Sequence, residues 1–420
     1  MNVMRRIGQI FVLLSAPAVV GNLAVATGES LNAPPEEILA WRDLKFGMFI
    51  HWGPVSLKGV EIGWGRGGER RGRNDKTTGS VPAEIYDNLY KEFNPVRFNA
   101  KEWVKIARSA GMRYMVFTTK HHDGFCNFGT KLTGYKITSP ESPYRKDIVR
   151  QLAGACRAGG LKWGIYYSQP DWHHPDYRTE THGRYIQYLH GQVRELLSNY
   201  GRVDIIFFDG LGGKAEDWDA PDLFKMIRGL QPRVIINNRC GLPGDYDTPE
   251  QRIGRMQTDR PWETCMTIGD QWAWKPDDRI KSKKECIQTL VKVVGGDGNF
   301  LFNVGPMPDG RIEPRQVERL REMGDWLAKY GESIYGTRGG PFPRGDWGVA
   351  TWRGDRIYVH LLDPSLDVVR LPAIARKIDR SRLLTGGSVT VRQSVDSIEI
   401  VVPAARRQEI DTIVELRLGK

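Results

Sequence analysis

The chain has 420 residues, 40% of them hydrophobic and 26% charged, with 61 Lys and Arg against 50 Asp and Glu. That composition suits one large globular domain plus a smaller one and excludes a collagenous or disordered chain. Behind the net charge of +11 the basic residues are scattered, except around Glu69-Arg70-Arg71-Gly72-Arg73 and in the C-terminal third. No nucleic-acid partner is expected, and the charge reads as a solvated basic face, which would also suit a sulfated or acidic glycan.

At the amino terminus, Arg5 and Arg6 precede an apolar run from Ile7 to Val20, and Ala24-Val25-Ala26 supplies small residues for cleavage. This order reads as a signal peptide over residues 1–26 and predicts a secreted or periplasmic protein. The run is short for a permanent membrane span of roughly 20 residues, and no later stretch is more apolar. The five cysteines (Cys126, Cys156, Cys240, Cys265, Cys286) are widely spaced, without a CxxC pair. They argue against a metal cluster, although export would permit one or two disulfide bridges.

From Ala40 to Tyr335, short apolar runs alternate with amphipathic helical patterns. Strands are expected at Phe46–His51, Tyr114–Thr119, Trp163–Ser168, Val203–Asp209, Val234–Asn238 and Phe300–Val304. Helices are expected at Ala100–Ala110, Asp147–Ala158, Thr181–Tyr200, Asp222–Leu230, Ser282–Val294 and Pro314–Tyr330. Nearly 300 residues of alternation predict an α/β fold, a (β/α)8-type TIM-like barrel over residues 27–340. Gly59–Ser80 is a long loop for a barrel, either mobile or part of the site. After Gly339-Gly340-Pro341, short β-type runs separated by turns predict a small C-terminal antiparallel β-sandwich over residues 341–420.

Polar residues collect where apolar strands end: His51, His121-His122-Asp123, Ser168, Asp209 and Asn238-Arg239. Barrel strand ends converge on one face, where active sites are built. Asp209 closes the run Val-Asp-Ile-Ile-Phe-Phe-Asp-Gly and is placed to act as a nucleophile, with Gly210 leaving room beside it. A glycosidase needs a second carboxyl group. Glu250, in the loop after Val234–Asn238, is preferred as the acid because it can fold over the mouth; Glu263, at the next strand, is the alternative, and Glu61 lies in the long early loop. The histidines could bind hydroxyls or a metal, but neighbours on an extended segment point to opposite sides, which disfavours one shared ion. Arg239 can clamp a carboxylate, and Trp64 and Trp272 can stack on a sugar face.

Several strings resemble the family 29 glycoside hydrolases, the α-L-fucosidases. They are Lys-Phe-Gly-Met-Phe-Ile-His-Trp-Gly-Pro (45–54), Thr-Lys-His-His-Asp-Gly-Phe (119–125), Gly-Ile-Tyr-Tyr-Ser (164–168), Phe-Phe-Asp-Gly (207–210) and Asn-Asn-Arg (237–239). Trp-Glu-Thr-Cys-Met-Thr-Ile-Gly (262–269) and Leu-Phe-Asn-Val-Gly-Pro-Met-Pro-Asp-Gly (301–310) continue the series in family order. The resemblance implies a retaining exo-hydrolase that releases L-fucose from glycans without a metal or organic cofactor. It maps Asp209 onto the nucleophile and His51, His121, His122, Tyr166 and Arg239 onto sugar-binding positions. Glu250 and Glu263 match two acids considered for the acid/base, and Trp272 falls near a pocket aromatic. Where relatives carry Glu-Trp-Tyr, this chain reads Glu61-Ile-Gly-Trp64, which reshapes that side of the pocket. Two other readings stay open at this level: a glycan-binding protein with little turnover, and a metal-dependent hydrolase.

Overall fold

The computed structural model describes residues 30–73 and 78–419, so the leader expected at 1–26 lies outside the described residues. In chain order, α1 (Pro35–Arg42) leads into β1 (Phe46–Ile50), and α2 (Ala83–Tyr86) and α3 (Ala100–Ser109) precede β2 (Tyr114–Lys120). Next come α4 (Ile148–Gly159), β3 (Lys162–Tyr167), α5 (His182–Asn199), β4 (Ile205–Phe208), α6 (Ala220–Leu230) and β5 (Ile235–Ile236). β6 (Glu263–Thr267), α7 (Lys283–Gly295), β7 (Asn299–Val304) and α8 (Pro314–Tyr330) complete the first domain. Helix starts have local causes. Asn99 accepts from the amides of Lys101 and Glu102, Asp147 accepts from Arg150, and Ser282 and Glu285 form a reciprocal capping box.

The strands pair in parallel in the order β5-β4-β3-β2-β1-β7-β6. Their period-two alternation separates two cores. Phe46, Met48, Ile50, Met115, Phe117, Ile206 and Phe208 face the helices, whereas Phe49, Val116, Tyr166, Ile205, Phe207, Cys265 and Leu301 fill the barrel interior. Gly47 has to lack a side chain, since a Cβ there would lie 2.3 Å from the Tyr114 ring.

Between β5 and β6 the ring is closed by an irregular stave, residues 245–251. The Asp245 amide donates to Ile236 O at 2.7 Å, the Glu263 amide to Asp247 O at 2.9 Å and the Gln251 amide to Cys265 O at 2.9 Å. Parallel bridges join Asn237 to Tyr246, Asp247 to Trp262 and Glu250 to Cys265. The barrel is thus of (β/α)8 type, but the connections on either side of this stave carry no helix among the described residues. Its lower end is pinned by the buried carboxylate of Asp245, which accepts from the amides of Ala33 and Ile236 at 2.8 Å each and pairs with Arg228 at 2.9 Å.

The second domain contains β8 (Arg338–Gly339), β9 (Gly348–Arg353), β10 (Arg356–Leu361), β11 (Val368–Pro372), β12 (Ile378–Leu383), β13 (Thr390–Gln393), β14 (Ser397–Val401) and β15 (Thr412–Leu418). Two antiparallel sheets, ordered β12-β15-β10-β9-β8 and β11-β14-β13, enclose an apolar core that includes Val359, Leu371, Ile398, Ile400 and Val414. β8 already belongs to this sandwich, so its first strand precedes residue 340. Gln288 on α7 donates to Leu362 O and Ile410 O, at 3.1 and 2.8 Å, and ties the sandwich to the barrel. All five cysteines are buried and unbridged, so the disulfides that export would permit do not form.

Candidate active site

A cavity of about 440 Å³ opens at the carboxyl ends of the strands. Ten of the side chains singled out by sequence line it: His51, Trp64, His121, His122, Tyr166, Asp209, Asn238, Arg239, Glu250 and Trp272. Inward alternation brings them there, since Asp209 follows Phe207 by two residues and His51 follows Phe49 by two.

Asp209 is held on both oxygens. Tyr166 Oη donates to Oδ2 at 2.8 Å, and Arg239 Nη1 donates to Oδ1 at 3.2 Å. The neighbouring Gly210 leaves room for this approach, because a Cβ there would lie 2.5 Å from Arg239 O. The same Nη1 lies 2.7 Å from Glu250 Oε2, so the two carboxylate oxygens are at most about 5.9 Å apart. Asp209 is largely buried, with 13% of its side chain exposed, whereas Glu250 is 40% exposed at the mouth. Burial works against the charge of Arg239, but the facing carboxylates more than offset it and leave its pKa raised. Thr248, on the closing stave, aims the guanidinium: its Oγ1 accepts from Nε at 2.8 Å and its carbonyl from Nη2 at 3.1 Å. The Thr248 hydroxyl then donates to Asn238 Oδ1 at 2.8 Å.

The histidines present acceptors. Asn303 Nδ2 donates to Trp272 O, so Asn303 Oδ1 accepts the Nδ1 proton of His51 at 2.7 Å. Ser168 Oγ donates to Pro170 O, so it accepts from His122 Nδ1 at 2.6 Å. Both rings are thereby left with an unprotonated Nε2. Burial pushes the His51 pKa down to about 4 and those of His121 and His122 well below the ordinary value, so all three are neutral at neutral pH. His121 and His122 do not diverge as extended neighbours would. The chain leaves β2 at Lys120 and turns through His121–Gly124, so both rings face the cavity with centroids 4.0 Å apart. These two rings and Asp209 offer one ligand atom each within 4.8 Å of one another, a spacing open to a cation. The nearby guanidinium opposes one.

The early loop is packed rather than mobile over its described residues. Gly65, Arg66 and Gly67 pair with Gly79 and Val81 through their backbones, and Arg66 binds Asp87 at 2.7 Å. Trp64 stands edge-on to His122 and to Trp172. Glu61 does not line the cavity. Its carboxylate accepts the amides of Trp272, Ala273 and Ile62 at 2.7, 3.0 and 3.0 Å, so it acts on the site by holding Trp272. Asp123 likewise turns away and accepts from Tyr86 Oη at 2.7 Å. Glu263 is at the opposite end of the barrel. It begins β6, is fully buried, takes a 2.5 Å hydrogen bond from Tyr114 Oη and does not reach the cavity. Burial pushes its pKa up to about 8. The acid/base alternative at Glu263 is therefore corrected, because that residue starts its strand, at the end of the barrel away from the mouth. Thr248 and Asn303 went unnoticed in sequence; only the Asp-Thr-Pro-Glu string hints that a threonine two residues before Glu250 shares its face.

A buried carboxylate and a mouth carboxylate facing one sugar-sized cavity on a (β/α)8-type barrel define a glycoside hydrolase site. The chain belongs to the α-L-fucosidase family, glycoside hydrolase family 29, whose sequence model matches residues 22–332. It is 30% identical to tissue α-L-fucosidase of Macaca fascicularis over 74% of this chain and 71% of that one. It is 31% identical to human plasma α-L-fucosidase over 74% and 72%. Among solved structures, α-L-fucosidase isoenzyme 1 of Paenibacillus thiaminolyticus superposes with a TM-score of 0.82 at 36% identity, over 92% of this chain and 99% of that one. A Bacteroides thetaiotaomicron α-L-fucosidase trapped as a covalent intermediate with 2-fluoro-fucosyl fluoride superposes at 0.81 and 28% identity, over 93% and 97%.

Two outcomes follow from this geometry. Thr248→Val should lower kcat by roughly 10- to 100-fold, the loss of a hydrogen bond to a charged group, while Thr248→Ser stays near wild type; equal rates for the two variants would remove the clamp. Glu263→Gln should leave kcat unchanged. Because the folded-state pKa of Glu263 lies above its ordinary value of 4.5, its contribution to stability is full below that pH and is lost as pH rises towards about 8. Urea titrations across that range should therefore fall less steeply for Glu263→Gln than for wild type.

Proposed function

We propose that the chain hydrolyses terminal α-L-fucosides with net retention, by double displacement through a covalent fucosyl-enzyme. The observation that carries this reading is the single Arg239 nitrogen shared by Asp209 and Glu250. It keeps an oxygen of each within about 5.9 Å of the other, a bound that admits the roughly 5–5.5 Å spacing of retaining glycosidases and lies below the roughly 6.5–9.5 Å of inverting ones.

Asp209 is oriented by Tyr166 and Arg239, one hydrogen bond to each oxygen, which leaves a carboxylate lone pair to attack the anomeric carbon as Glu250 gives its proton to the departing glycosidic oxygen. Water then enters from the vacated side, Glu250 takes its proton, and the new C–O bond displaces Asp209. The neutral rings of His51 and His122 accept hydrogen bonds from sugar hydroxyls, contacts that tighten as the ring flattens towards an oxocarbenium ion. Trp64 and Trp272 close the sides of a cavity suited to one terminal sugar.

Asp209→Gly should lose on the order of 10³-fold or more in kcat, as covalent catalysts do when the nucleophile is removed. Added azide should restore turnover and yield fucosyl azide of inverted configuration; near-normal activity without azide would exclude Asp209 as nucleophile. Glu250→Ala should slow substrates with poor leaving groups by roughly 10²- to 10⁴-fold while sparing activated aryl fucosides. Uniform loss across leaving groups would leave Glu250 without its acid role.

Export is part of the same proposal, supported by Arg5-Arg6, the apolar run to Val20 and the small residues at Ala24–Ala26. No helix among the described residues is long and apolar enough to cross a membrane. Mature protein recovered from periplasm or medium should begin near Thr27 on amino-terminal sequencing; an intact Met1 terminus in the cell fraction would overturn export.

A further inference from the structure

The carboxylate Asp209 and the ring of His122 face each other in an unusual way. His122 Nδ1–H donates a hydrogen bond to Ser168 Oγ, whose hydroxyl donates to Pro170 O, so Nε2 carries a lone pair. That nitrogen lies 3.6 Å from Asp209 Oδ2, and no proton stands between the two acceptors. His121 adds a third donor atom within the same 4.8 Å span. Its Nδ1 is buried without a hydrogen-bond partner, beside Gly63. Such a cluster of lone pairs suits sugar hydroxyls when substrate is bound and is open to a cation when it is not.

We propose that His121, His122 and Asp209 form an inhibitory site for a borderline divalent cation such as Zn²⁺, which binds the free enzyme and competes with the sugar. Two imidazoles favour Zn²⁺ over Mg²⁺ or Ca²⁺, which seek oxygen ligands. The site is not a resident zinc centre. Tetrahedral Zn²⁺ with bonds of about 2.0–2.1 Å holds its ligand atoms roughly 3.4 Å apart, closer than the 4.8 Å span here. The Arg239 guanidinium, 3.2 Å from Asp209 Oδ1, also repels a second cation. Both features weaken binding and make it reversible, so the metal acts as a brake and not as a cofactor.

The test uses the full chain, stripped of metal with EDTA and titrated with ZnCl₂ by calorimetry and, separately, during aryl fucoside turnover. The stripped enzyme should be fully active. One Zn²⁺ should bind per chain, excess L-fucose should displace it, and Zn²⁺ should raise KM without changing kcat. His122→Gln should weaken Zn²⁺ binding by roughly 100-fold or more, since losing a ligand costs at least as much as altering the groups that support one. Calorimetry reads this without any need for activity, and circular dichroism checks that the variant is folded. Four results would each overturn the proposal: no binding, binding that fucose does not displace, unchanged affinity in folded His122→Gln, or an inactive stripped enzyme restored by Zn²⁺. The last would make the metal catalytic.

Discussion

The buried guanidinium of Arg239 joins three staves of the barrel at one point. Asp209 comes from the end of β4, Arg239 from just beyond β5, and Glu250 from the irregular stave that closes the ring. Without the intervening cation, two ionised carboxylates within about 5.9 Å of each other would repel by roughly 3 kcal/mol or more at an effective dielectric of about 20. With it, each carboxylate helps to compensate the burial of the arginine. The pairing of nucleophile and acid is therefore a consequence of charge balance as much as of chain topology, and Thr248 sets its direction.

The closing stave explains how the second acid reaches the mouth. A regular βα unit would follow its strand with a helix and carry the chain away over the outside of the barrel. Here the connections on both sides lack one, so residues 245–251 run from the Asp245–Arg228 anchor straight up to Glu250. The acid is rooted by one buried ion pair below and by a few ladder bonds along its length. The nucleophile, by contrast, sits on a strand paired on both sides.

Barrel strands and helices were readable because burial on both faces writes near-continuous apolar runs, and because caps such as Asn99 and Ser282 mark helix starts. The cluster of polar residues at strand ends located the site for the same reason, since a polar residue ending an apolar strand points into the barrel mouth. What could not be read depends on partners distant in sequence. β12 is an exposed edge strand, Ile-Asp-Arg-Ser-Arg-Leu, without alternation to reveal it. The stave at 245–251 has only scattered bridges, so it read as a loop. Glu263 and Glu250 look alike as strings and are separated only by where they lie along parallel segments, Glu263 at the start of β6 and Glu250 at the upper end of the stave. The facing of His121 and His122 depended on a turn that begins one residue after β2 ends, a boundary that pattern alone places only loosely.

The five thiols add a consequence of another kind. Burial pushes those of Cys126, Cys156, Cys240 and Cys286 up to about 12, so in the folded protein they stay protonated and inert. With no sulfur–sulfur link in the fold, assembly of the native state requires neither a thiol oxidant nor a disulfide isomerase.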